Sequence, residues 1–240
     1  MGMGMGMGKL SAFAGVAGSV ALAGSAEAAL QSLSMDLIRS GTEGNTYHLL
    51  ANVDPGDVVD AVFADSQNSL LIDTANGASF YQNANGGPTS LSINSNFFVF
   101  VPSLEWDSYV TIGSLDQSGT PFPSNQLGEA FIDWNNFESG GGIDLTSGVW
   151  NIIGGAVGAP QAEEISGQVL LGQFTVQGGN GDASDLIGQI NVQGFDSGGS
   201  GWTTYGASWS TAVVPEPSTA LLIGLGLTGL AAKGRRRNRS

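Results

Sequence analysis

Between positions 30 and 213 the apolar residues come in short runs, and clusters of Gly, Asn, Asp, Ser and Pro separate them. Tyr47, Leu49 and Ala51 alternate with His48, Leu50 and Asn52, and Leu170, Gly172, Phe174 and Val176 alternate with Leu171, Gln173 and Thr175. That period of two is the signature of strands with one face packed. No long window outside the two ends keeps a helical period. The runs predict twelve strands, at 33–39, 46–53, 58–64, 70–72, 78–82, 97–101, 109–112, 130–134, 149–153, 169–176, 187–192 and 203–208. The turns between them are glycine-rich, as at Asn76-Gly77, Asn85-Gly86-Gly87-Pro88, Gly140-Gly141-Gly142 and Gly178-Gly179-Asn180-Gly181. Such turns supply the positive φ that hairpins need. The expectation is an all-β chain: a single β-sandwich of jelly-roll type over 29–213.

The ends have a different pattern. Lys9 precedes a small apolar stretch from Leu10 to Gly24, and Ala26-Glu27-Ala28 places small residues where a signal peptidase reads them. Residues 1–28 are therefore expected to be a signal peptide cleaved before Ala29, with the Met-Gly repeat an upstream extension of a start at Met7. At the other end, Val214-Pro215-Glu216-Pro217-Ser218 breaks any incoming strand. The uncharged run 219–232 follows, and Lys233, Arg235, Arg236, Arg237 and Arg239 close the chain. As a helix that run spans about 21 Å, short of a hydrocarbon core of about 30 Å. A transmembrane helix over 219–232 would put the basic cluster in the cytoplasm and the domain outside.

In motif, apolar helix and basic cluster, residues 214–239 resemble the PEP-CTERM sorting signal. The resemblance implies recognition by an exosortase, a membrane protease acting near Pro215-Glu216-Pro217, in Gram-negative bacteria that make biofilm matrix. A plain C-terminal anchor is the alternative. The middle, through Trp106-Asp107-Ser108-Tyr109-Val110-Thr111-Ile112-Gly113, Gly148-Val149-Trp150 and 170–175, is similar to uncharacterised exported proteins of planctomycete type that often carry such tails.

Charge sharpens the picture of the middle. Of 7 basic and 21 acidic residues in the chain, positions 29–214 hold Arg39 alone and 19 acids, a net of −18. Almost no carboxylate there has a cationic partner, so solvent, N–H groups or bound cations must satisfy them. Nucleic acid and anionic lipid surfaces are poor partners for such a field. The chain has no cysteine, which removes disulfides, thiolate metal sites and thiol nucleophiles.

Candidate chemistry is thin. The single histidine, His48, sits inside a predicted strand and reads as a half-buried strand residue rather than a triad base. One histidine and no cysteine exclude the usual zinc sites. Calcium takes oxygen ligands, and Asp182 with Asp185, or Asp54 with Asp57, are candidate clusters that also read as ordinary polar turns. Glu105-Trp106-Asp107 and Asp133-Trp134 set acids beside aromatics, as a glycan-cleaving site would. Trp202 and Trp209, seven apart, would face opposite sides of a continuous strand, so that one could stack on a sugar, although such residues more often plug the end of a sandwich.

The expected function is an exported, exosortase-processed envelope or extracellular-matrix protein without catalytic activity or cofactor. It would be held transiently at the inner membrane and then placed at the cell surface. Its partners would be signal peptidase, exosortase and extracellular polysaccharide. The alternatives are a carbohydrate-binding surface module, calcium-assisted or not, and a secreted glycan hydrolase.

Overall fold

A computed structural model describes residues 30–120, 126–152 and 167–209. The expected signal peptide, sorting motif, apolar run and basic cluster lie outside these residues. Among the described residues no helix is long and apolar enough to cross a membrane.

Among the described residues twelve strands form two antiparallel sheets. They are β1 (Ser32–Gly41), β2 (Gly44–Asn52), β3 (Val58–Ala64), β4 (Leu70–Thr74), β5 (Ser79–Phe80), β6 (Tyr109–Val110), β7 (Leu127–Ala130), β8 (Ile143–Leu145), β9 (Gly148–Ile152), β10 (Gln168–Gln177), β11 (Leu186–Phe195) and β12 (Gly201–Ser208). The first sheet runs β1-β2-β10-β5, with β6 also on β10. The second runs β7-β9-β3-β11-β4-β8, with β12 on β11. One hydrophobic cluster draws on both: Tyr47, Leu49, Ala51, Leu171 and Phe174 from the first, Val59, Val62, Trp150, Ile190 and Val192 from the second. The period of two in β2 therefore means what it predicts. Tyr47, Leu49 and Ala51 are buried, and His48 and Leu50 point away.

The irregular segments explain where the prediction departs. Residues 97–101 are not a strand: a 3-10 turn spans Ser95–Phe97, and a second, Pro102–Trp106, begins just past it. The Asn94 side chain accepts the Asn96 N–H, and Pro102 opens the second turn. These are local polar choices that override β propensity. Residues 131–134 leave the sheet for a short helix, α1 (Asn135–Glu138), and β8 was not foreseen. Phe137 of α1 meets Phe80 and Phe174 at ring centroids 5.4 and 6.3 Å away, filling the core between β5 and β10.

Residues 81–119 form an excursion with a small core of its own, Ile93, Leu104 and Tyr109, with Phe98 and Val101 against it. Its β6 adds to β10, and the Gln173 amide of β10 donates to the carbonyls of Glu105 and Asp107, 3.1 and 2.9 Å away. Gln173 is among the residues of β10 that point away from the shared core. The excursion thus covers the outer face of the first sheet, and a cleft remains at its margin.

Candidate functional site

The cleft has a volume of about 330 Å³. Its sheet side is Ile38, Arg39, His48 and Gln173; its other wall is Ile93, Phe98, Leu104, Glu105, Tyr109, Leu115 and Asp116. The only arginine of 29–214 and the only histidine of the chain meet here.

Strand geometry places the sheet side. His48 of β2 lies opposite Gln173 of β10, so both side chains stand on one face of the sheet. Gln173 cannot turn its amide over, because its NH2 group serves two carbonyls. Its Oε1 must accept, and His48 Nε2 stands 3.2 Å from it. The proton of the neutral ring is therefore on Nε2, and Nδ1 is left as an acceptor. Burial pulls the His48 imidazole below its ordinary range, against the upward effect of the Gln173 contact.

Arg39 Nη1 donates to Glu105 Oε2 at 2.8 Å, and the guanidinium lies over the Trp106 ring, 5.4 Å from its centre. Both charged side chains are partly exposed, so the pair is worth about 1 kcal/mol at most. Its importance is positional: it ties the end of β1 to the excursion, 66 residues on. Gly41 makes room for Trp106, since a Cβ there would stand 2.6 Å from the indole ring. Tyr109 is buried and its hydroxyl donates to the Leu115 carbonyl at 2.8 Å. Burial pushes that hydroxyl's pKa well up, so it stays a neutral donor.

The arrangement can bind more readily than it can react. His48 faces an amide, with no hydroxyl or carboxylate at its Nε2. Glu105 faces a guanidinium. Asp107 is fully buried and accepts the N–H groups of Asn83 at 2.7 Å and Gly87 at 3.0 Å. Burial pushes its carboxyl up to about 7 despite those donors.

The other sequence candidates lie elsewhere. Trp202 and Trp209 are both buried in the shared core, so neither faces outward as a continuous strand would require of one of them. Register explains it. Ile190 pairs with Ala207 and Val192 with Thr204, so β12 carries one extra residue between them. The bulge, with Gly206 at φ +61°, turns a spacing of seven into an even one. Neither indole offers a face to a sugar ring.

The calcium candidates are otherwise engaged. Asp185 is fully buried and accepts from Asn76 Nδ2 and from the backbone N–H groups of Asn180, Gly181 and Asp182. Burial works to raise its pKa, but those four donors outweigh it and hold the carboxyl below the usual range. Asp182 accepts from Ser184. Asp54 accepts from Gln31 and Asp57 from the Ser197 N–H. The Asp185 carboxylate is thus surrounded by N–H groups, whereas Asp57 Oδ2 is buried without a partner. Among the described residues no group of three or more His, Cys, Asp or Glu could hold a metal ion. The two acid-aromatic pairs do not converge: Trp134 packs against Phe137 and Trp150 in the main core, and Glu105 is at the cleft.

Arg39 and His48 were conspicuous in the sequence as solitary residues, but their meeting was not. Gln173 drew no attention, since an amide in a strand carries no motif.

Residues 213–237 match the family model described as the PEP-CTERM protein-sorting motif. No curated protein and no solved structure matches the chain. The motif marks an exported protein addressed to an exosortase and anchored in the membrane through its tail before processing.

Proposed function

We propose that this exosortase-addressed protein is a non-catalytic component of the cell envelope or biofilm matrix, whose β-sandwich binds an extracellular polysaccharide in the cleft at Arg39. The observation that carries the binding is the composition of the cleft. A guanidinium, a carboxylate, an amide-fixed imidazole acceptor and a phenylalanine line one volume of about 330 Å³. Planar polar groups suit vicinal hydroxyls, and the apolar wall of Ile93, Phe98 and Leu104 suits the C–H face of a sugar. The non-catalytic reading is supported by the partners of three ionisable groups: His48 is held by a neutral amide, Glu105 by a guanidinium and Asp107 by backbone N–H groups. The sorting motif supports delivery to the surface, and the net −18 of positions 29–214 favours a neutral glycan over an anionic one.

Two measurements test this. A glycan array with the processed protein, run with calcium and with chelator, is expected to show calcium-independent binding that Arg39→Ala removes. Binding untouched by Arg39→Ala would move the site elsewhere, and an array without a hit would end the lectin reading. Replacing Pro215, Glu216 and Pro217 together is expected to leave an uncleaved precursor in the membrane fraction, and normal processing would end the exosortase reading.

A further inference from the structure

The excursion 81–119 turns apolar side chains outward as well as inward. Residues 74–104 contain no charged side chain, the longest such interval in the chain, although positions 29–214 carry a net of −18. Within that interval the turn at 97–101 holds Phe97, Val99 and Phe100 at 52, 83 and 79% accessible. Phe98 and Val101 of the same turn pack on Ile93, Leu104 and Tyr109, which anchors the tip. Its backbone is bonded within itself. The Phe97 and Phe98 N–H groups donate to the carbonyls of Asn94 and Ser95 at 2.9 and 3.2 Å, and the Phe97 carbonyl accepts both the Phe100 and the Val101 N–H at 2.8 Å. Pro102 follows with no N–H to satisfy.

We propose that this tip is a membrane-contact site, at which Phe97, Val99 and Phe100 enter the interface of a zwitterionic lipid bilayer while the tail holds the precursor there. The backbone argues for lipid. An added strand needs free N–H and C=O groups, and a glycan needs polar partners. A bilayer interface takes apolar side chains carried on a backbone whose polar groups are already paired.

Charge narrows the occupant further. The uncharged interval suits a surface without net charge. The −18 of positions 29–214 opposes both an anionic bilayer and a second copy of the chain. Chain length places the bilayer within reach. The matched sorting motif begins at residue 213, four positions past Trp209, which is about 14 Å of chain at most. Anchoring through the tail before processing therefore keeps the domain at the membrane surface. Three apolar side chains give a weak, reversible contact, which lets the domain leave once the tail is cut. Phe97, Val99 and Phe100 do not line the cleft, so the contact is independent of the glycan reading.

The absence of cysteine makes the test clean. The full precursor is inserted into phosphatidylcholine vesicles that carry a doxyl-labelled lipid, with an environment-sensitive fluorophore at Val99→Cys or, as control, at Ser66→Cys. Ser66 is exposed in the link between β3 and β4 of the other sheet. The fluorophore at 99 is expected to shift to the blue and be quenched by the doxyl lipid, and the one at 66 is not. Equal quenching at the two positions, or none at 99, overturns the proposal. A second readout uses the processed protein in vesicle flotation. Phe97→Ser with Phe100→Ser is expected to weaken binding to phosphatidylcholine vesicles by at least about tenfold, since each phenylalanine withdrawn from apolar surroundings costs on that order. Adding phosphatidylglycerol is expected to weaken the binding of the native protein. Unchanged binding by the double variant overturns the proposal, as does stronger binding to the anionic vesicles. Concentration-dependent self-association that the double variant abolishes, without vesicle binding, would make a second copy the occupant and overturn it as well.

Discussion

His48 Nε2 stands 3.2 Å from Gln173 Oε1, on neighbouring strands and 125 residues apart in sequence. The contact turns a solitary histidine into a fixed acceptor at the cleft. Long-range proton–nitrogen NMR is expected to show the neutral ring protonated at Nε2, titrating below the ordinary 6.5. Gln173→Glu places a carboxylate at the same atom and should carry the titration above 6.5, since an opposite charge at that distance favours the imidazolium. An unmoved titration would mean that the two side chains do not touch in solution.

Asp107 makes stability depend on pH in an unusual direction. Its folded carboxyl lies at about 7, above the reference 3.8, because burial outweighs the donors. The unfolded chain therefore releases this proton first. The group's contribution is complete below about pH 4 and is lost as pH rises to about 7, on the order of 4 kcal/mol at about 1.4 kcal/mol per pH unit. Asp107→Asn cannot ionise. The urea midpoint of the native protein should stand furthest above that of Asp107→Asn near pH 4 and approach it by pH 8. A gap that stays constant with pH would show Asp107 to be an ordinary carboxylate.

The same carboxylate makes Gly86 irreplaceable. A Cβ at Gly86 would stand 1.7 Å from Asp107 Oδ2 and 2.6 Å from its Cγ. Gly86→Ala must therefore displace a buried acceptor from the Gly87 N–H, at a cost of about 3 kcal/mol or more. Gly77 is the control. It has φ +78° but nothing within 4 Å of its Cβ position, so Gly77→Ala adds only backbone strain, about 1 kcal/mol. Thermal or urea unfolding should separate the two variants clearly, and equal losses would refute the close approach.

The alternation of β2 was legible because burial on one face imposes a period of two whatever the neighbours are. In β10 both faces are covered and a bulge between Leu170 and Gly172 breaks the period, bringing Leu171 into the core with Phe174 and Val176. The extra residue of β1, Ile38 between Leu37 and Arg39, and the extra residue of β12 were not legible, because a bulge shows only in pairing with another strand. That is why Trp202 and Trp209 read as facing apart. The stretch 97–101 misled for a related reason: its composition is that of a strand, and the turns around it are set by the Asn94 side chain and Pro102. The cleft was illegible because it joins β1, β2, β10 and the 81–119 excursion, and no local pattern reports which distant segments meet.

Asp185 carries a prediction about calcium at 180–185. Its oxygens face one amide and three backbone N–H groups, which favour the ionised carboxylate without any cation. Adding calcium or chelator is expected to leave the melting temperature unchanged. Asp185→Ala removes the acceptor from the Asn180, Gly181 and Asp182 N–H groups and should cost about 2–4 kcal/mol. Because the folded pKa is depressed, this stabilisation is present above about pH 4 and disappears as pH falls below it. A melting temperature that rises on adding calcium would restore the cation site.

Asn191 holds the bulge that buries the tryptophans. It is fully buried in β11, and its Nδ2 donates to the carbonyls of Phe63 and Asn68 at 2.9 and 3.0 Å. Its Oδ1 accepts the Gly206 N–H at 2.9 Å, at the residue where β12 kinks. One side chain thus joins β3, the turn before β4, and the bulge of β12. Asn191→Ala leaves these groups unpaired under cover and should cost about 2–3 kcal/mol. The further consequence is specific. Without the Gly206 anchor, β12 can pair with β11 without its bulge, and Trp202 and Trp209 then cannot both face inward. Tryptophan emission should shift to the red in the folded variant, with a rise in acrylamide quenching. A destabilised variant that keeps the native emission would show that the indoles, rather than Asn191, set the register of β12.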